Sequence, residues 1–257
     1  MNPFKKIQEA FLKTFGDIKV FSWPMFVLYD PGSYKVKGED MRQVIECIEP
    51  GDILVRGYDN YLDGFFIPGS FSHAGLYLGP VTDDDRRFLA PGVNGSSFKT
   101  GRQMVIHAMA EGVFMEDILN FCRCDRMAIV RFPRALKAAA PLPDSVALAC
   151  QFTTEEKAFF ARLNAGEAVP FAEVYPTMFS LALGQLGKGY DFSFDFKTYN
   201  NLSCTEFVHF CVKSLQAFHG IAPVEKRVLC FKKAMIEPDA FVGSSLPTVW
   251  QSRSVKR

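Results

Sequence analysis

The sequence predicts an α+β fold in which a small antiparallel sheet packs on the helix that carries a candidate nucleophile. Short apolar runs bounded by turn residues lie mainly in the first half of the 257-residue chain. Apolar residues at helical spacing lie mainly in the second half. Hydrophobic residues make up 48% of the chain, which is enough for the core of one domain. We therefore expect a single domain over residues 1–257, with an N-terminal extension over 1–45.

Residues 3–16 have the pattern of an amphipathic helix. Its apolar face comprises Phe4, Ile7, Phe11, Leu12 and Phe15, and its lysines lie elsewhere. Packing on the domain explains this pattern, and so does a helix that binds a membrane surface or a partner. Peripheral membrane contact through residues 3–16 therefore stays open as an alternative.

The strands expected in the first half cover residues 53–55, 72–78, 104–108 and 128–132. Gly79 and Pro80 are expected to end the second of these strands. Residues 80–102 carry charged runs and several glycines, which predicts a long solvated loop.

Helices are expected over residues 115–121, from Thr153 onward, and over 171–186. Thr153 is expected to cap its helix, because Glu156 follows it at the spacing of a capping box. The chain after Pro238 is expected to be irregular.

Charge and cysteine usage exclude several classes of protein. The formal net charge is +1 and no basic tract occurs, so nucleic-acid binding is not expected. The seven cysteines have no repeating spacing and are interpreted as reduced thiols, which favours a cytoplasmic protein. Neither a secretory signal nor a membrane-spanning segment is evident. The pair Cys122 and Cys124 lacks a second ligand pair, and no phosphate-binding loop is present, so no metal or cofactor is expected.

Cys204 lies where a polar loop ends and a run of helix-spaced apolar residues begins. Free amide groups and the helix dipole stabilise a thiolate at such a position. His73 and His107 lie upstream on expected strands. A cysteine at a helix start, with histidines on neighbouring strands, is the arrangement of a nucleophile with its base and its orienting residue.

Four segments, taken in order, resemble the circularly permuted papain-like hydrolases, which are YiiX-like relatives of the NlpC-type cell-wall peptidases. They are residues 51–54 (GDIL), 71–79 (FSHAGLYLG), 105–108 (VIHA) and 202–206 (LSCTE). The order is also similar to that of lecithin:retinol acyltransferase. The resemblance covers roughly residues 48–212 and implies a papain-like fold of the permuted NlpC type.

The resemblance also implies roles for individual residues. Cys204 would be the nucleophile and His73 the general base, and the ion pair between them would hold the thiol pKa well below about 8.5. His107 would orient His73, with Glu111 as the nearest acidic substitute. Tyr190, in a Gly-x-x-Tyr stretch upstream of the cysteine, would face the oxyanion together with the backbone N–H of Cys204.

These residues predict a cysteine hydrolase that cleaves an amide or ester through a thioester acyl-enzyme, with no cofactor. A peptidase or amidase acting on a small peptide or amide is the first interpretation. A lipid-directed acyltransferase or lipase of the lecithin:retinol acyltransferase type is the second. A non-catalytic binding module on the same fold is the third. The sequence leaves the substrate and the oligomeric state open.

Overall fold

The computed structural model describes residues 18–22, 25–29, 34–59, 69–93, 97–138, 140–141, 151–193, 196, 199–216, 219–228 and 231–255. The amphipathic helix expected over residues 3–16 lies outside these ranges. Within them, no helix has both the length and the apolar character needed to cross a bilayer.

The described residues form short strands and helices along the chain. They are β1 (Ile18–Ser22), β2 (Met25–Tyr29), α1 (Gly38–Cys47), β3 (Ile53–Gly57), β4 (His73–Val81), a 3-10 helix (Asp83–Phe88), β5 (Gly101–Met109), β6 (Gly112–Asp117), α2 (Ile118–Phe121), β7 (Arg126–Val130), β8 (Ala135–Leu136), α3 (Thr154–Asn164), β9 (Val169–Pro170), α4 (Phe171–Leu183), α5 (Cys204–Gln216), β10 (Val224–Val228), β11 (Phe231–Met235), α6 (Asp239–Val242) and β12 (Thr248–Gln251). The mixed α+β class expected from the sequence is confirmed.

The centre of the fold is a six-stranded antiparallel sheet with the order β12-β7-β3-β4-β5-β6. Helices cover both faces, so side chains that alternate along a strand enter two different cores. Ala74 and Leu76 of β4 pack in the core that contains α3, α4 and α5, which we call the α5 face. Tyr77 of β4 packs in the core that contains α1 and α2, which we call the α2 face.

The helix that begins at Cys204 lies against the strand that begins at His73. Its apolar residues Phe207, Val208 and Cys211 are buried in the core of the α5 face. Burial of this apolar side, rather than helix propensity alone, stabilises such a helix. It also fixes the first turn of α5 beside the start of β4.

The start of α3 is as expected, because Thr153 caps the helix and forms a capping box with Glu156. Asp52 also has the structural role expected of it. Its carboxylate accepts the backbone N–H of Glu49 at the turn before β3, and it forms an ion pair with Arg131.

Several local predictions are wrong. Residues 112–117 form β6, paired with β5, and only Ile118–Phe121 are helical, because Val113 and Met115 alternate into the sheet core. The strand β4 does not end at Gly79 but continues to Val81 through a shift in register, with Gly79 at φ 72°. The chain after Pro238 forms α6 and β12 instead of irregular structure.

Candidate active site

The two candidate histidines are in contact on neighbouring strands. His73 is the first residue of β4, and His107 lies on β5 opposite Gly75. Atom Nε2 of His73 lies 2.8 Å from Nδ1 of His107, and the rings meet edge to face with centroids 4.9 Å apart. Both side chains are buried. The contact expected between a base and an orienting residue is therefore present.

Gly75 makes room for this contact. A Cβ atom at this position would lie 2.9 Å from the ring of Phe121 and 3.1 Å from Cβ of His107. Both distances are shorter than an ordinary van der Waals contact between carbon atoms. A side chain at residue 75 would therefore displace the Phe121 ring and crowd Cβ of His107.

Glu116 and Arg56 extend the histidine pair, and the sequence analysis missed both. Atom Oε1 of Glu116 lies 2.9 Å from Nε2 of His107, although the ring N–H is not aimed straight at it. The same oxygen accepts a hydrogen bond from Nη1 of Arg56 at 3.2 Å. Arg56 also donates to the backbone carbonyl of Phe121 at 3.1 Å and lies over the Phe121 ring. An Arg56–Glu116–His107–His73 chain therefore runs across the α2 face.

Glu116 was missed because residues 115–121 were predicted to be helical. With β6 in place, Val105 pairs with Glu116 and His107 pairs with Phe114. On an antiparallel pair, Glu116 is then a diagonal neighbour of His107 on the same face. The alternative third residue, Glu111, lies exposed in the turn between β5 and β6.

Cys204 is the first residue of α5 and is only 3% exposed. The backbone N–H groups of Ala74 and Thr205 lie near its sulfur and act to lower the pKa of the thiol. The hydroxyl of Tyr190 also lies near the sulfur and acts in the same direction. Amide groups at the start of a helix are free to donate in this way.

Tyr190 lies near both the side chain and the backbone N–H of Cys204. Both groups of Cys204 shift the pKa of the Tyr190 phenol, and the phenol in turn acts to lower the pKa of the Cys204 thiol. Its ring packs against Phe192, with centroids 4.8 Å apart. The phenol and the amide expected to form an oxyanion site therefore converge at one point beside the nucleophile.

His73 and Cys204 do not form the pair that the sequence predicted. No hydrogen bond joins their side chains, both of which lie in the described part of the chain. The alternation along β4 explains this, because His73 shares a face with Gly75 and Tyr77, whereas α5 covers the face of Ala74. The thiol therefore reaches the backbone beside His73, while the imidazole turns toward His107.

The predicted depression of the thiol pKa is wrong for this arrangement. Burial raises the pKa of Cys204 to about 11, outweighing the hydrogen bonds from Ala74 and Thr205 that lower it. Burial, with smaller contributions from the cation Arg56 and from His107, holds the pKa of His73 well below its ordinary value of 6.5. At neutral pH the thiol and the imidazole are therefore both uncharged, and no ion pair is preformed.

A capping box fixes the first turn of α5. The carboxylate of Glu206 accepts the backbone N–H of Ser203 at 2.8 Å, and the Ser203 hydroxyl accepts the backbone N–H of Glu206 at 3.4 Å. The other carboxylate oxygen accepts the backbone N–H of Phe196 at 3.0 Å. Burial, and to a lesser degree the negative charge of Asp191, raise the pKa of Glu206 to about 7.

Metal chemistry finds no support in the part of the chain that is described. There, His, Cys, Asp and Glu side chains form no group of three or more that could hold a metal ion. Cys122 and Cys124 are fully buried, and the Cys122 thiol contacts the sulfur of Met127 at 3.7 Å. Burial raises the pKa of both thiols, to about 12 for Cys122.

Comparison of the chain with models of protein families, with curated proteins and with solved structures finds no match. The resemblance to permuted papain-like hydrolases therefore depends on the sequence segments alone. The functional argument depends on the chemistry of the residues around Cys204.

Proposed function

We propose that the protein is a cysteine hydrolase that cleaves an amide or ester bond through a thioester on Cys204. The observation that carries the proposal is the group of donors around the sulfur: the N–H groups of Ala74 and Thr205 and the hydroxyl of Tyr190. Preorganised donors of this kind stabilise a thiolate and the oxyanion that forms when it attacks a carbonyl. An inert buried cysteine needs none of them.

In the proposed reaction, His73 removes the thiol proton as the sulfur of Cys204 bonds to the substrate carbonyl carbon. The oxyanion that forms is held by Tyr190 and the backbone N–H of Cys204. When the intermediate collapses, the bond to the leaving amine or alkoxide breaks and His73 returns the proton to it. Water, deprotonated by His73, then attacks the thioester carbon; the C–S bond breaks, His73 returns the proton to the sulfur, and the acid is released.

The resting arrangement requires one rearrangement before this chemistry begins. The thiol must move toward Nδ1 of His73, so that the imidazole reaches the sulfur while its Nε2 keeps the contact with His107. Catalytic hydrogen bonds are often long or misaligned before substrate binds. Because both groups are uncharged at rest, the general-base route fits this site better than a standing thiolate.

The acyl-enzyme is common to a peptidase or amidase and to a lipid-directed acyltransferase, because only the acceptor differs. Water gives hydrolysis, whereas an alcohol or amine gives acyl transfer. A non-catalytic binding module would form no thioester at all. The first test is therefore whether Cys204 becomes acylated.

The experiment incubates the wild type with p-nitrophenyl acetate, p-nitrophenyl decanoate and a peptide p-nitroanilide. Intact mass and peptide mapping then locate any hydroxylamine-sensitive adduct. We expect an acyl adduct on Cys204 and a burst of nitrophenol that Cys204→Ala abolishes. Cys47→Ala is the matched control, because Cys47 is a partly exposed thiol on α1 that donates to the backbone carbonyl of Val44. An adduct on Cys47 alone, or none from any probe, would reject the hydrolase.

Simple alkylation has a different expected outcome. Iodoacetamide reacts with thiolates, and the thiol of Cys204 is buried with a pKa of about 11. We expect Cys47, which is more exposed, to be labelled before Cys204 near pH 7. Labelling of Cys204 should rise as the pH approaches 11. Preferential labelling of Cys204 near pH 7 would indicate a standing thiolate and contradict the uncharged resting state.

A further inference from the structure

We propose that Glu116 is a positioning residue that fixes the ring tautomer of His107 and, through it, the tautomer of His73. This inference rests on the proposed function, in which His73 accepts the thiol proton. Neither the donor group around Cys204 nor the histidine pair determines by itself which ring nitrogen carries hydrogen. The contact between Oε1 of Glu116 and Nε2 of His107 determines it.

The tautomers follow from the chain of contacts, starting at the carboxylate of Glu116. Oε1 of Glu116 lies 2.9 Å from the buried Nε2 of His107, off the line of a ring N–H, and a carboxylate attracts and accepts hydrogen but cannot donate it. Hydrogen on His107 therefore resides on Nε2, which leaves Nδ1 as an acceptor. This Nδ1 lies 2.8 Å from Nε2 of His73, so His73 must carry its own hydrogen on Nε2. The nitrogen left bare on His73 is Nδ1, the one able to take the proton from Cys204.

The ionisation states of the chain support this assignment. Its contact with His107 and the charge of Arg56 lower the pKa of Glu116 and keep it ionised, despite the opposing effect of burial. Burial lowers the pKa of His107 to about 4, so the ring is neutral and has a single N–H. The pKa of His73 is also well below 6.5. Only one hydrogen can lie between Nε2 of His73 and Nδ1 of His107. Glu116 determines which of these two nitrogens carries it.

Arg56 keeps the carboxylate of Glu116 in place. Its guanidinium is buried, donates to Glu116 and to the carbonyl of Phe121, and lies 4.2 Å from the centroid of the Phe121 ring. The planar group is thus held from two sides, which fixes the oxygen that faces His107. Glu116 and Arg56 touch neither the thiol nor the expected position of a substrate, so their effect is transmitted through the histidines.

The direct test is long-range ¹H–¹⁵N correlation of protein labelled with ¹⁵N-histidine, with the four histidines assigned by substitution. At about pH 7 we expect both His73 and His107 to be neutral with hydrogen on Nε2. Hydrogen on Nδ1 of His73 in the wild type would overturn the inference. This readout requires no substrate and no turnover.

Glu116→Met tests the cause, and Glu116→Gln is its matched control. The oxygen of Glu116 that faces His107 also accepts from Arg56, so a glutamine keeps its amide oxygen there and should keep the wild-type tautomers. Methionine offers no comparable acceptor, so we expect a population of His73 with hydrogen on Nδ1 to appear and the rate of Cys204 acylation to fall by up to roughly 10²-fold. Glu111→Met makes the same exchange at the exposed end of the hairpin and is expected to leave the tautomers as they are. An unchanged His73 tautomer in Glu116→Met would overturn the inference.

Glu116→Met also leaves Arg56 without its anion, which threatens folding. The double variant Arg56→Met with Glu116→Met removes both charges and the acceptor that faces His107. We expect it to fold and to show the same change of the His73 tautomer; a folded double variant with the wild-type tautomer would also overturn the inference. If the tautomers behave as expected but no ester acylates Cys204, the hydrolase fails and the role of Glu116 stands. If Cys204 is acylated at equal rates in wild type and Glu116→Met, the hydrolase stands and the positioning role fails.

Discussion

The helices α3 and α5 begin with the same capping box, but their two buried glutamates have different neighbours. Thr153 and Glu156 begin α3, and Ser203 and Glu206 begin α5, each pair with reciprocal backbone hydrogen bonds. Glu156 also forms a fully buried ion pair with Lys213, at 2.8 and 3.0 Å. Within the described ranges, Glu206 forms no ion pair with a lysine or arginine, and Asp191 is nearby.

The comparison separates the local motif from its surroundings. The motif S/T-x-x-E starts a helix in both places, because it satisfies two free N–H groups. The neighbouring charge determines the further role of each glutamate. Glu156 pairs with Lys213 and ties α3 to α5. Burial, and to a lesser degree Asp191, raise the pKa of Glu206 to about 7, and the charge of Glu206 raises the pKa of the Cys204 thiol. One box is a structural tie between helices, and the other is an electrostatic neighbour of the candidate nucleophile.

The largest expected effect comes from breaking the α3 pair. Glu156→Gln or Lys213→Met leaves one buried group without its partner, which costs about 3–5 kcal/mol of unfolding free energy. The double variant removes both charges and should recover most of this loss. Urea unfolding of the two single variants and the double variant measures the coupling. Additive losses would show that the pair does not act as a unit.

A smaller effect, of opposite sign, is expected at the α5 box from Asp191→Asn. The folded-state pKa of Glu206 is raised from 4.5 to about 7, so the stability linked to its proton is present below about pH 4.5 and is lost as the pH rises to 7. Removing the Asp191 charge lowers this pKa and reduces the loss. We expect a gain of about 1–2 kcal/mol at pH 8 and almost none at pH 4.

Urea unfolding at the two pH values provides the measurement. Asp84→Asn is the control, since Asp84 is an exposed acidic residue in the 3-10 helix. An equal gain in stability at both pH values, or the same gain in the control, would show that the charge of Asp191 does not raise the pKa of Glu206.

The smallest expected effect on stability is the loss of either capping hydroxyl. Ser203→Ala and Thr153→Ala each remove one hydrogen bond and should cost about 1 kcal/mol. Only Ser203→Ala loosens the turn that presents the Cys204 sulfur, so only this variant should change the acylation rate of Cys204. Equal effects of both variants on the acylation rate would show that the capping box of α5 has no specific role in presenting Cys204.

Part of the site could be predicted from the sequence because the information is local. The helix start at Cys204 and the strands that carry His73 and His107 follow from residue type and spacing. Glu116 could not be found while Met115, Ile118 and Phe121 were assigned to a helix, since their spacing fits a helical turn. A short apolar run of this kind does not distinguish strand from helix without its pairing partner.

The relation between His73 and Cys204 needs tertiary information of another kind. The alternation along β4 separates His73 from Ala74, but only the packed structure shows that α5 covers the Ala74 side. The pKa of the thiol depends on the same packing. A helix start predicts a lowered pKa, and the burial that reverses this direction is invisible in the sequence.

The order of these residues along the chain has a consequence for folding. His73, His107 and Glu116 lie on three consecutive strands joined by antiparallel pairing, and the contact between His73 and His107 joins residues 34 apart in the sequence. Cys204 meets the start of β4 only after a much longer segment has closed, at a larger cost in chain entropy. We expect the polar chain on the α2 face to form with the early hairpins, and the nucleophile to arrive last, when α5 docks. A nascent chain would then form the contact between His73 and His107 before Cys204 reaches the sheet.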